Sequence, residues 1–124
     1  MTVTSNLIVL YVDDIATSVD FYAAQFGHAP ADQSPVFALF VLDGGMQLGL
    51  FLRHAVEPKT AITGGGCELV VMTDSRDRVD AIVAGWRAQG VVIGADPIDA
   101  PFGYTAVALD PDGHRIRALF DPQA

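Results

Sequence analysis

Residues 110–120 of the chain read DPDGHRIRALF. Arg115 and Arg117 stand one residue apart in a stretch that otherwise has the character of a buried strand. Strand alternation puts both on one face. A guanidinium is a permanent cation with no lone pair for a metal, and it meets a carboxylate through two parallel hydrogen bonds. Two of them on one face call for an acidic oxygen, supplied by the protein or by a ligand.

Other reactive side chains are scattered. His28, His54 and His114 lie in three loop-proximal places with no metal-ligand spacing. His114 follows the turn Asp110-Pro111-Asp112-Gly113, where a local hydrogen bond is the simplest expectation. Cys67 has no histidine near it in sequence and reads as a small buried side chain. The run Gly64-Gly65-Gly66 lacks a following lysine and opens no helix, so it reads as a linker rather than a phosphate loop.

Composition sets the bounds. The 124 residues, 51% hydrophobic and 18% charged, exclude a disordered chain and fit one domain. A net charge of -8 argues against a nucleic-acid partner, which needs a basic face. One cysteine permits no intrachain disulfide. The start, MTVTSNLIVLYVDD, lacks the basic region of a secretory signal, and no apolar run approaches the ~20 residues of a membrane helix. The expectation is a cytoplasmic protein with no membrane partner.

The elements that must position these residues follow from hydrophobic periodicity. NLIVLYV (6–12) reads as a strand. DDIATSVDFYAAQFG (13–27) reads as a helix, with Ile15, Val19, Phe21, Tyr22 and Phe26 on its apolar face, a start at Thr17 or Ser18, and Gly27 as its C-cap. HAPADQSP is loop-like, VFALFVLD (36–43) a strand, Gly44-Gly45 a turn, and MQLGLFLR (46–53) a strand. The pattern then recurs. CELVVMT (67–73) is a strand and DSRDRVDAIVAGWRAQG (74–90) a helix with Val79, Ile82, Val83 and Trp86 inward. VVIGADPIDAPFG (91–103) holds a short strand and a loop; YTAVALD (104–110) and HRIRALF (114–120) are strands.

Both halves thus read strand, helix, then two or three strands, with marks at matching offsets: Val19-Asp20 with Val79-Asp80, Gly27 with Gly90, and the Leu42 turn with the Leu109 turn. The predicted fold is α+β. It comprises two tandem βαβββ modules, about 1–60 and 67–122, in a single domain spanning 1–124. A curled mixed sheet surrounds a cleft and the helices lie on its outer face.

The stretches LYVDDIATSVDFYAAQFG, GGGCELVVMTDSRDRVDAIVAGWRAQGV and PFGYTAVALDPDGHRIRALF give the chain, over essentially its whole length, a resemblance to the vicinal oxygen chelate superfamily, the glyoxalase/bleomycin-resistance/dioxygenase fold. The resemblance is specific for fold and weak for function, because this superfamily hosts isomerases, lyases, dioxygenases and antibiotic-binding proteins. Its enzymes usually hold a divalent metal at four strand positions. By the resemblance, those positions fall here on Leu7, Gly49, Glu68 and Arg117. Leucine, glycine and arginine cannot ligate, and one carboxylate does not make a site. The expectation is no metal and no cofactor.

In this fold the first and last strands of a module are neighbours, which implies an ion pair of Glu68 with Arg117 on the cleft side. Arg115 would then offer a second cationic contact. Alternation adds Leu7, Val9 and Tyr11, then Gln47, Gly49 and Phe51, then Val70 and Met72, and finally Leu119 to that side. Phe102 and Tyr104 border the DAPFGY loop, where they could stack on a flat ligand. An apolar wall with few polar groups is the usual composition of a small-molecule site.

Two classes of function follow. The first is a metal-free binding protein for a small apolar or aromatic, acidic-oxygen-bearing drug or metabolite; the resemblance implies a homodimer. The second is a glyoxalase-type lyase or isomerase acting on a carbonyl compound, with Glu68 as general base or a metal held at other residues. A domain with a vestigial cleft is the third and plainest reading.

Overall fold

The computed structural model describes residues 6–61 and 64–124. The chain divides into two compact units, Met1–Gly64 and Gly65–Ala124. In the first, β1 (Leu7–Val12) leads to α1 (Ile15–Phe26), then β2 (Asp32–Gln33), β3 (Phe37–Val41) and β4 (Gln47–Leu52). In the second, β5 (Glu68–Thr73) leads to α2 (Arg76–Ala88), then β6 (Val92–Ala100), β7 (Gly103–Leu109) and β8 (Arg115–Phe120).

The strand orders are β1-β4-β3-β2 and β5-β8-β7-β6, one order written twice. In each unit the first and last strands pair in parallel and the remaining neighbours antiparallel. The expected α+β repeat is therefore present, as two open four-stranded mixed sheets rather than one curled sheet.

Each helix covers one face of its own sheet. On β1 the inward side chains Leu10 and Val12 are buried with Ile15, Val19 and Tyr22 of α1 and with Leu48 and Leu50 of β4. In the second unit Val79, Val83 and Trp86 of α2 are buried, as are Ala106, Ala108, Ile116 and Ala118 of the sheet. Small residues on β7 and β8 leave room for the indole, so Trp86 is core, as its helical spacing indicates.

The helix ends show why α1 begins earlier than Thr17 or Ser18. Asp14 is extended, and its carboxylate accepts from the Thr17 amide at 2.9 Å. Thr17 is therefore already in the first turn, and Ser18 is buried on the inner side. Ser75 caps α2 in the same way, accepting from the Arg78 amide at 3.0 Å.

Two other boundaries differ from expectation. HAPADQSP contains β2, whose two residues pair with Leu39 and Ala38 of β3. Asp and Gln carry little strand propensity, so only the neighbouring strand reveals this edge. VVIGADPIDAPFG holds a nine-residue strand, because register shifts beside Gly94 and Pro97 absorb the residues that break the pattern. As the edge of its sheet, β6 tolerates a proline with no amide to donate.

Candidate functional site

The face away from the helix carries Leu7, Val9 and Tyr11 of β1 in the first unit and Glu68, Val70 and Met72 of β5 in the second. The register of β5 with β8 pairs Glu68 with Arg115, Val70 with Arg117, and Met72 with Leu119. That of β1 with β4 pairs Leu7 with Gln47, Val9 with Gly49, and Tyr11 with Phe51. The repeat thus makes Leu7 the counterpart of Glu68, and Gly49 the counterpart of Arg117.

The second unit concentrates charge at these positions. Arg117 donates from Nε to Glu68 Oε1 at 2.6 Å and from Nη2 to Glu68 Oε2 at 3.3 Å. Its Nη1 donates to Thr105 Oγ1 at 3.1 Å, and the Thr105 hydroxyl passes the bond on to the Ala118 carbonyl at 2.8 Å. The Phe102 ring centroid lies 5.4 Å from the guanidinium carbon, within cation–π range. Arg115 Nε stands 3.6 Å from Glu68 Oε2, longer than a hydrogen bond.

These contacts decide the state of Glu68. The hydrogen bond from Arg117 is the main influence lowering its pKa below the usual 4.5; partial burial opposes it, and the charges of Arg117 and Arg115 add to it. The carboxylate is ionised and engaged on both oxygens. It is therefore a weak base.

The donor set does not fit a metal. In the first unit, Leu7 and Gly49 offer no side-chain donor. In the second, the Glu68 carboxylate is tied to an arginine that stands at the other position. Among the described residues no group of three or more His, Cys, Asp or Glu side chains could hold an ion.

On the uncovered face of the first unit the space above Gly49 is taken up, while Leu7, Val9 and Val41 stay exposed. A Cβ on Gly49 would stand 2.7 Å from Phe37 Cζ and 3.3 Å from Val9 Cγ2, so the Phe37 ring occupies the space above this glycine. Phe37 packs edge-on against Phe51, with centroids 5.7 Å apart. Gly49 is thus a close-approach position beneath a ring rather than an open contact point, as glycine inside a strand often is. Gln47 donates to Asn6 Oδ1 at 3.2 Å, Tyr11 is half-buried, and Leu7 is exposed.

Phe102 and Tyr104 line one pocket at the β6–β7 turn, but their rings meet different partners. Thr105 faces Arg117, so its neighbour Tyr104 lies on the helix side of the sheet. Its hydroxyl donates to Asp80 Oδ1 of α2 at 2.6 Å, and the Arg76 guanidinium carbon sits 4.0 Å above its ring. Arg76 is in turn paired with Asp99. Tyr104 thereby fastens α2 to the β6–β7 hairpin. Cys67 is exposed, because it lies just ahead of β5. His114 is buried, and its amide donates to Asp110 Oδ1 at 2.8 Å, a local turn bond.

Thr105 and Phe37 did not stand out in the sequence. For Thr105 the available signal was strand alternation, which sets it on the opposite face from Tyr104. For Phe37 it was a strand glycine needing something to cover it.

Fold and site together define a two-unit α+β scaffold with a charged constellation on the uncovered face of its second sheet. A profile of the Glyoxalase/Bleomycin resistance protein/Dioxygenase superfamily matches residues 4–118, and the chain belongs to that superfamily. It is 29% identical over 119 residues to a phenazine antibiotic resistance protein of Enterobacter agglomerans, covering 94% of this chain and 91% of that one. A protein of Agrobacterium tumefaciens solved by NMR superposes with a TM-score of 0.90 at 45% identity, covering 97% of this chain and 98% of that one. A glyoxalase-related enzyme of Fulvimarina pelagi shares the fold, with a TM-score of 0.84 at 22% identity, covering 96% of this chain and 88% of that one.

Proposed function

We propose that this protein binds a small, flat aromatic molecule without a metal or other cofactor, and does not turn it over. The observation that carries the reading is the Glu68–Arg117–Thr105–Phe102 constellation, which puts a fixed cation and an exposed ring where the superfamily's enzymes place a metal-ligating acid. Val70 and Met72 extend the same face as exposed apolar surface. The relative's name ties that protein to resistance against phenazine antibiotics, which are flat fused-ring aromatics, and this favours a ligand of that shape. On the first unit, Leu7, Tyr11 and Phe51 are read as ligand contacts of that unit's own uncovered face. The protein is read as a cytoplasmic homodimer.

The lyase or isomerase reading needs Glu68 as a base. Its lowered pKa and its two hydrogen bonds from Arg117 weigh against that role. Calorimetric titration of chelator-treated protein with phenazine-1-carboxylic acid and with its carboxamide tests the proposal. Saturable binding with the compound recovered unchanged is the expected result. Absence of saturable heat with both compounds, or their conversion to product, overturns it.

A further inference from the structure

We infer that Arg115 is the anion-contacting residue of this site and that the preferred ligand carries a single carboxylate at one end of its ring system. The inference rests on the binding reading above.

The second unit's uncovered face carries an unbalanced positive charge, unlike the ion pairs elsewhere. The ion pairs Arg53–Asp13, Arg76–Asp99 and Arg87–Asp96 each join one guanidinium to one carboxylate. Glu68 instead stands between two arginines. One carboxylate neutralises one of them, so the constellation keeps a net positive charge inside a chain of net charge -8.

The two arginines are not equivalent. The Arg117 guanidinium is spent on both Glu68 oxygens and on Thr105, and its side chain is only 17% exposed. Arg115 comes no nearer to Glu68 than 3.6 Å, and its side chain is 43% exposed. A guanidinium has five N–H donors in a rigid fork matched to a carboxylate. Arg115 therefore has the geometry to take a second carboxylate, while Arg117 is a positioning residue held by Glu68.

The rest of the face gives the ligand its direction. Arg115 opens β8 beside Glu68, and Arg117 lies two residues, roughly 7 Å, further along. Beyond it come the exposed side chains of Met72 and Phe102. A monoanion with its carboxylate at Arg115 would lay its ring over Val70 towards Met72 and Phe102. A neutral ligand would make the ring contacts alone. A second negative group further along would meet apolar surface and lose its hydration without a partner.

The test compares phenazine-1-carboxylic acid with its neutral carboxamide on the wild-type protein, Arg115→Ala and Arg87→Ala. Arg87 sits on α2 and supplies a control for the loss of one positive charge elsewhere. Wild type and Arg87→Ala should bind the acid about 10-fold more tightly than the amide, a gap typical of one charge-assisted contact. Arg115→Ala should erase that preference by weakening the acid alone, with thermal unfolding unchanged. Equal affinity of wild type for acid and amide, or an equal loss for both in Arg115→Ala, overturns the assignment of Arg115 and leaves the binding reading standing. Failure of both compounds to bind wild-type protein overturns the binding reading itself.

Discussion

Glu68 carries two arginines, and its protonation sets what holds Arg117 in place. Its folded pKa lies below the ordinary 4.5, chiefly through the Arg117 hydrogen bond. A depressed value means that the pair's contribution is complete above the unfolded pKa and is lost as pH falls through the folded one. Chemical denaturation as a function of pH should therefore show wild type falling towards Glu68→Gln at acid pH, with a constant gap from about pH 6 upward. Parallel curves down to about pH 3 would mean that the pair contributes nothing titratable. Glu68 and both arginines were legible from residue type and strand spacing. The contact of Arg117 with Thr105 was not, because it runs across to a third strand.

Among the elements, the β6–β7 hairpin matters most to the site, because it sends Phe102 to one side of the sheet and Tyr104 to the other. Gly103 makes this possible at φ 147, where a Cβ would stand 2.3 Å from the Phe120 carbonyl oxygen. Gly103→Ala should cost more than about 2 kcal/mol in denaturant unfolding, since neither the backbone angle nor the contact can relax cheaply. Gly85, inside α2, has nothing within 4 Å of its would-be Cβ. There, substitution by alanine should stabilise by about 0.5–1 kcal/mol through helix propensity. Equal effects at the two glycines would refute the hairpin argument. Most helices and strands were readable from hydrophobic period alone, whereas β2 and the full length of β6 were not. Both are edge segments whose pairing comes from a neighbour rather than from their own pattern.

At the scale of the molecule, one scaffold plan is written twice and then used differently. The first unit seals the face above Gly49 with Phe37 and Phe51. The second leaves Met72 and Phe102 exposed beside its arginines. Among the described residues no helix is long and apolar enough to cross a membrane. On the proposed homodimer reading, exposed apolar side chains such as Leu7, Val9, Val70 and Met72 would be buried against a second copy. Native mass spectrometry of untagged protein offered zinc, nickel, manganese and iron(II) should give a dimer without stoichiometric metal. One tightly held ion per chain would contradict the account of Leu7, Gly49 and Arg117 as positions without donors.

The amino-acid sequence by itself determined the repeat, the helix-facing cores and the placing of Arg115 and Arg117 on one strand face. Each of these depends on residue type at a local period of two or 3.6. Only the tertiary structure decided which arginine is saturated, which aromatic shares the charged face and whether Gly49 is open. Those properties are set by strand register and by side chains from a third strand, which local spacing does not encode.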